Sequence, residues 1–268
     1  MGPRLGRALG AVPWLAAAAL VLALAACGGA GSKDRIEPIV LTYPYGESGP
    51  YLFADYDRII AAAAASYVAI TIRSDPGTAA ESGHNRVSSA SGTIVDPAGY
   101  IVTAAHIAVD TKYHAEVRTI DGRLHKGKIL RIDRDRELAM IKIPPAPGLA
   151  AARLVDSAEI VRGANAVAVG SPRLRTGVVS LGLIKNPQLS YPLEYSGYSY
   201  SDAVVVSMQV EPGHSGGPLF DANGALIGII ASFALGDTRK VPYVSPRIAF
   251  AVRSDDIAAY MQEVIGAN

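Results

Sequence analysis

A hydroxyl set among glycines can carry out acyl transfer, and Gly213-His214-Ser215-Gly216-Gly217-Pro218-Leu219 offers that arrangement. Glycine packs nothing and loses the most backbone entropy on folding, so three glycines around one serine in a strand-rich region need a reason. An oxyanion hole is one such reason. If the peptides turn as glycine permits, the N–H groups of Gly213 and Ser215 face the same side. Charge would develop there on a carbonyl attacked by the Ser215 hydroxyl. Gly216 and Gly217 would let a substrate backbone come close, and Pro218 would open the next strand. A Gly-rich hairpin turn is the plainer use of the same residues.

A serine nucleophile needs a base. Ser91 to His106 reads as a strand, a tight turn at Asp96 to Gly99, and a second strand that ends just before His106. A histidine at a strand end can be held rigidly with its ring facing a cleft. The third chemical segment is Asp133-Arg134-Asp135-Arg136-Glu137, acidic residues running into the apolar strand Leu138 to Ile143.

In the order His, acid, Ser, these segments resemble a trypsin-like serine protease, and more closely the high-temperature-requirement (HtrA/Deg) branch of bacterial envelopes. The resemblance runs from about Ala54 to Val264. It takes in Val167-Ala168-Val169-Gly170-Ser171-Pro172, the Val178 to Ile184 strand, Gly224 to Ile229, and Ile248 to Val252. It implies an all-β fold of two antiparallel six-stranded barrels, with a short N-terminal helix and a closing C-terminal helix. It also implies a serine endopeptidase acting on unfolded or exposed polypeptides, with Ser215 as nucleophile, His106 as base, and Gly213 and Ser215 as the oxyanion hole.

The acid departs from the family pattern, because Glu137 stands where the family has Asp. Asp133 and Asp135 are the nearby substitutes. His214 is expected to point away from the cleft. Gln209, six residues before the nucleophile, and Ile229, Ile230 and Ala231 match the specificity pocket, which implies small or medium apolar side chains. The Tyr-rich insertion Asn186 to Asp202 resembles the loop with which HtrA proteases sense a peptide bound at a PDZ domain. No PDZ domain is expected, since the sequence stops after the closing helix. A catalytically weak pseudo-protease that binds peptides, and a lipoprotein using the barrels only as a scaffold, are the competing classes.

The composition narrows the partners. The chain has 268 residues with Lys+Arg 25 against Asp+Glu 24, so no basic field points to nucleic acid. A single Cys excludes an intramolecular disulfide. No His, Asp or Glu residues have metal-ligand spacing, so neither metal nor cofactor is expected. The lone Cys has its own context. Arg4 and Arg7 precede the apolar run Ala8 to Ala26, which ends Leu24-Ala25-Ala26-Cys27 before Gly28-Gly29. This reads as a secretory signal, and it resembles the bacterial lipobox that leaves Cys27 lipidated at the new N-terminus.

Residues 1–26 are therefore expected to be a signal peptide and 27–50 a flexible tether, with 51–268 forming the protease domain. Tyr43, Tyr45, Tyr51, Phe53 and Tyr56 suit either a homo-trimer contact, as in HtrA-like proteins, or a cover for one barrel edge. Barrel one is expected at about 66–143 and barrel two at about 164–252. The Pro-rich stretch from Pro144 opens a linker over 144–163, and Ser254 is expected to cap a helix over 254–265. The lipid would place the domain at the cell envelope, facing the periplasm or the exterior.

Overall fold

Runs rich in Val, Ile and Ala, separated by Gly and Asp turns, form strands in both halves of the chain. The computed structural model describes residues 39–41, 56–74, 86–234 and 248–267. Barrel one is a closed ring of β2 (Tyr67–Arg73), β3 (Arg86–Asp96), β4 (Tyr100–Ala104), β5 (His114–Thr119), β6 (Leu124–Asp133) and β7 (Leu138–Lys142). Their order in the ring is β2-β3-β4-β7-β6-β5. Closure leaves no free sheet edge. Every strand pair in the ring is antiparallel.

Barrel two uses β8 (Asn165–Gly170), β9 (Val178–Asn186), β12 (Val204–Met208), β13 (Pro218–Asp221), β14 (Leu226–Ala234) and β15 (Ile248–Arg253). The order is β9-β12-β15-β14-β13-β8, and antiparallel pairing of β8 with β9 closes the ring. Between β9 and β12, β10 (Leu193–Tyr195) and β11 (Tyr198–Tyr200) form a separate hairpin. The expected double barrel is present.

Three expectations need revision. The tether of 27–50 contains β1 (Ile39–Leu41), which pairs in parallel with β9 from Ile39↔Val178 to Leu41↔Ser180. These three apolar residues find a sheet edge that composition alone does not reveal. Strand β3 starts at Arg86, ahead of the Ser91 at which the strand is expected to open, because Arg86, Ser88 and Ser89 pair across to β2 despite their polar character. Ser254 does not cap the closing helix α3 (Ser254–Ile265): Arg253 occupies the N-cap position. Ser157, in the linker, accepts the Asp255 N–H at 3.1 Å and lies 2.9 Å from the Ser254 hydroxyl. A side chain far away in sequence has taken over the cap.

One buried cluster joins the barrels: Val102, Leu138 and Met140 of barrel one pack with Phe220, Ile229 and Val252 of barrel two. Each such side chain contributes about 1.5–3 kcal/mol on full burial. Helix α1 (Tyr56–Ser66) adds Ile59 and Ala63 to this cluster, and α3 adds Ile257, Tyr260 and Val264. The Tyr260 hydroxyl donates to the Arg131 carbonyl of β6 at 2.9 Å, so the closing helix reaches back to barrel one. The expected signal segment, Cys27, His84 and Tyr43, Tyr45, Tyr51 and Phe53 lie outside the described residues, as does the side chain of Tyr56.

Candidate active site

The turn between β6 and β7 is built by Asp133. Its Oδ1 accepts the N–H groups of Asp135 and Arg136 at 3.1 Å each, and its Oδ2 accepts Arg136 Nε at 2.9 Å. The Arg136 guanidinium then grips the Glu263 carboxylate of α3 through two bonds of 2.8 and 2.7 Å. So braced, the turn holds Glu137 at φ +56°, a left-handed conformation that side chains with a Cβ adopt at a cost. The Glu137 carbonyl accepts the Ala105 N–H at 3.0 Å. The following residue, His106, lies in the short helix α2 (Ala105–Ala108), and its Nδ1 is hydrogen-bonded to Glu137 Oε1.

Among the three acids, the structure brings Glu137 to the imidazole. Asp133 is used up in the turn and Asp135 is exposed. Glu137 is 0% exposed. Burial pushes its carboxyl above the ordinary range, and the bond and charge of His106 pull it back by less. Among the described residues, no hydrogen-bond partner reaches its buried Oε2. Burial likewise raises the Tyr200 phenol, which lies 2.6 Å from Ser232 Oγ, and the Glu137 charge adds to that rise.

The β10–β11 hairpin forms a roof over this pair. Tyr195 meets the His106 ring edge-on at 5.1 Å between centroids, and Tyr198 meets it at 6.5 Å. Tyr198 is 8% exposed and Tyr195 37%. The hairpin is fastened to the acid-bearing turn: Ser199 N–H donates to the Arg134 carbonyl at 2.9 Å, and the Arg134 guanidinium lies 4.8 Å from the Tyr198 ring centre. The Tyr-rich insertion thus belongs to the site itself, a placement its polar composition does not disclose.

The serine loop is almost fully accounted for at the backbone. Glu211 N–H donates to His214 Nδ1 at 3.1 Å, and His214 N–H to the Glu211 carbonyl at 3.0 Å. Gly216 and Gly217 donate to Ile230 and His214 carbonyls at 2.7 and 2.9 Å. Among the described residues, the N–H groups of Gly213 and Ser215 have no acceptor. Two alternate donors left unspent in an otherwise paired loop are what an oxyanion hole requires. Gly213 sits at φ +108°, and a Cβ there would lie 2.3 Å from the Ser171 carbonyl oxygen, so only glycine fits.

Barrel one holds this loop of barrel two. Ser91 Oγ donates to the Gly213 carbonyl at 2.7 Å, Ser91 N–H to the Ser215 carbonyl at 3.0 Å, and Thr93 Oγ1 to the Gly216 carbonyl at 3.3 Å. Ser91 Oγ also accepts the Ser171 N–H at 3.0 Å, and Thr103 Oγ1 donates to the Ser91 carbonyl at 2.7 Å. Ser171 in turn is hydrogen-bonded to the buried Tyr67 hydroxyl. Sequence reasoning took Ser91 and Thr93 only as strand residues. Their signal is that each is polar at a fully buried strand position, where a partner is obligatory.

His214 is buried, with Nε2 3.2 Å from Ser180 Oγ, on a side of the loop given over to core packing. The Ser215 side chain is half-buried, and among the described residues no hydrogen bond ties it to His106. Gln209 is half-buried, whereas Ile229 and Ala231 lie in one core cluster and Ile230 in another, with no more than 1% exposure. Among the described residues no group of three His, Cys, Asp or Glu is placed to hold a metal ion.

Residues 90–229 match the family described as trypsin-like peptidase domain. The chain is 33% identical over 180 residues to serine protease HTRA1 of Xenopus laevis, a match covering 65% of this chain and 36% of that protein. It is 32% identical over 187 residues to human serine protease HTRA3, covering 66% of this chain and 38% of that one. Against the putative serine protease HhoA of Synechocystis, identity is 36% over 145 residues, covering 52% of this chain and 35% of the relative. The matched stretch therefore spans little more than a third of each of these relatives.

Proposed function

The chain belongs to the family of trypsin-like peptidase domains, and on that premise we propose that it is a serine endopeptidase of the HtrA type. In this mechanism Ser215 attacks a peptide carbonyl, giving its proton to His106 Nε2 as the new C–O bond forms. The oxyanion is received by the N–H groups of Gly213 and Ser215. His106 then protonates the leaving amine, and water repeats the sequence to release the acid. Glu137 acts through His106, fixing the ring with its proton on Nδ1 and stabilising the imidazolium while the proton is in transit.

One observation carries this proposal. A carboxylate–imidazole pair from barrel one, its carboxylate buried, accompanies a serine loop from barrel two in which, among the described residues, the N–H groups of Gly213 and Ser215 are unspent. The proposed preference for small or medium apolar side chains in unfolded substrates rests on Gln209 and on the backbone of the Ile229–Ala231 stretch, whose side chains are packed in the core. The deciding experiment is labelling by a fluorophosphonate probe. Stoichiometric reaction at Ser215, with casein hydrolysis that chelator leaves intact, is expected; hydrolysis surviving in Ser215→Ala overturns the assignment. The orphaned Oε2 of Glu137 favours a second reading, a peptide-binding pseudo-protease of low turnover. It predicts peptide binding without labelling.

The same proposal places the protein on a bacterial envelope membrane through a lipid on Cys27, facing the periplasm or the exterior, on the strength of the Leu24-Ala25-Ala26-Cys27 string. Cys27→Ser should take up no labelled fatty acid, and uptake by that variant refutes the anchor. Trimer assembly through the aromatic segment Tyr43 to Tyr56 is part of this picture, and the native mass of the full chain tests it.

A further inference from the structure

Outside the cleft, the register of barrel one aligns basic side chains. Arg73 lies opposite His114, His114 opposite Lys128, and Lys128 opposite Lys142, one row across β2, β5, β6 and β7. Like charges directly opposite on neighbouring strands destabilise a sheet unless something neutralises them. Among the described residues the neighbouring carboxylates are engaged: Glu116, which stands opposite Lys126, binds Arg73 at 2.6 Å, and Asp110 binds Lys112 at 3.1 Å.

Among the described residues, no ion pair reaches Lys126 or Lys128, and both are exposed. Lys142 Nζ is held by the Ala98 and Ile143 carbonyls at 2.8 and 2.9 Å and lies 5.0 Å from the Tyr100 ring centre, contacts that position its charge without cancelling it. Lys112, Lys126, Lys128 and Lys142 line one open groove of about 640 Å³, together with Tyr113 and His114.

We propose that this groove is a docking surface for the phosphate headgroups of an anionic membrane. Its lysines are spread over β6, β7 and the loop before β5 rather than converged on one point, which suits several mobile headgroups better than a single small anion. Lysines near an anionic leaflet add their attractions, and Tyr113 supplies an aromatic ring of the kind that sits at headgroup level. The inference rests on the proposed lipid at Cys27, which holds the chain at a phospholipid surface. A lipid chain and a basic patch are complementary signals: one attaches, the other also orients. Barrel one would then turn β5–β7 toward the bilayer.

Lysine acetylation of the full chain, read by mass spectrometry, tests this. The chain is reconstituted on vesicles of phosphatidylcholine alone, or of equal parts phosphatidylcholine and phosphatidylglycerol. Exposed Lys185 of barrel two is the internal reference. On the anionic vesicles Lys126 and Lys128 should be labelled several-fold less than on the neutral ones. That protection should vanish near 1 M salt, where the Debye length falls to about 3 Å. In Lys126→Glu/Lys128→Glu, Lys112 should lose its protection as well.

Equal labelling on both vesicles overturns the proposal. Protection by inorganic pyrophosphate without protection by anionic vesicles also overturns it, assigning the groove to a free phosphate. The footprint is independent of the fatty-acid label on Cys27, so failure of the anchor and failure of the groove are read separately.

Discussion

The two halves of the site are built on opposite principles. Barrel one contributes side chains: a carboxylate and an imidazole bonded to each other, one of them fully buried and backed by a left-handed backbone. Barrel two contributes backbone: two N–H groups that, among the described residues, have no acceptor while His214, Gly216 and Gly217 beside them donate to carbonyls. The first half depends on which residue stands at one position. The second depends on a glycine at φ +108° and on Ser91, a residue of the other barrel, that holds the Gly213 carbonyl. Side-chain identity is critical in one half and peptide orientation in the other, so the same kind of substitution should have different consequences in each.

The largest effect is expected where the halves meet. Ser215→Ala should lower kcat on the order of 10⁶-fold, leaving only what binding and the oxyanion donors supply. Progress curves with a fluorogenic peptide measure it, and a loss below a hundredfold would mean that another nucleophile is at work.

Next in size is Glu137→Gln, expected to lower kcat by about 10³ or more through the wrong imidazole tautomer. Asp135→Asn should change it by less than about tenfold, because Asp135 is exposed and away from the ring. Since Glu137 already reaches Nδ1 directly, Glu137→Asp should fall short of the ring and lose activity. A gain in activity would show that the longer side chain is not matched to its turn.

In the backbone half, Gly213→Ala should cost about 10²–10³ in kcat, the usual loss of one oxyanion donor, because its Cβ drives against the Ser171 carbonyl. Ser91→Ala should be milder. It removes one hydrogen bond to the Gly213 carbonyl and one acceptor for the Ser171 N–H, about 1–3 kcal/mol of stability. A roughly tenfold fall in kcat should accompany it if about 1.4 kcal/mol of that support is felt in the transition state. Unchanged kcat in Ser91→Ala would mean that the Ser171 N–H, which also donates to the Gly213 carbonyl at 3.1 Å, orients that peptide without the Ser91 hydroxyl.

The smallest expected effect is on stability, and it has the opposite sign to the effect on activity. Burial raises the Glu137 carboxyl above its unfolded value, so between the two values the folded chain binds more protons than the unfolded one. The stability that the protonated carboxyl contributes is present below the unfolded value and falls away as pH rises through the folded one. Glu137→Gln has no such group to ionise. Its Tm should therefore exceed that of wild type at neutral pH, with the difference closing in acid below the ordinary carboxyl range. Equal Tm values at neutral pH would show that the His106 bond offsets the burial in full.

Much of the fold was legible because its signals are local. Asp96-Pro97-Ala98-Gly99 and Asp121-Gly122 mark turns, Leu138 to Ile141 is a continuous apolar run, and α3 repeats apolar residues at Ile257, Tyr260 and Val264. The string around Ser215 was legible for the same reason: a donor pair built from peptides needs glycine within two residues of the nucleophile. His106 could be placed because it stands at a strand end.

What the sequence by itself determined, then, was the inventory of groups and the strands that carry them. Register against the family pattern pointed to Glu137, and the tertiary structure decided how the three acids part, since Asp133, Asp135 and Glu137 differ in sequence by only a few positions and in the fold by whether they cap the turn, face solvent or meet His106. It also brought Ser91 to Gly213 across 122 positions of sequence, set the tyrosines of the β10–β11 hairpin over the imidazole, and aligned Lys128 with Lys142. Each of these is a contact between segments whose meeting depends on how two closed barrels pack and in what register their strands pair. Local preference has no term for that.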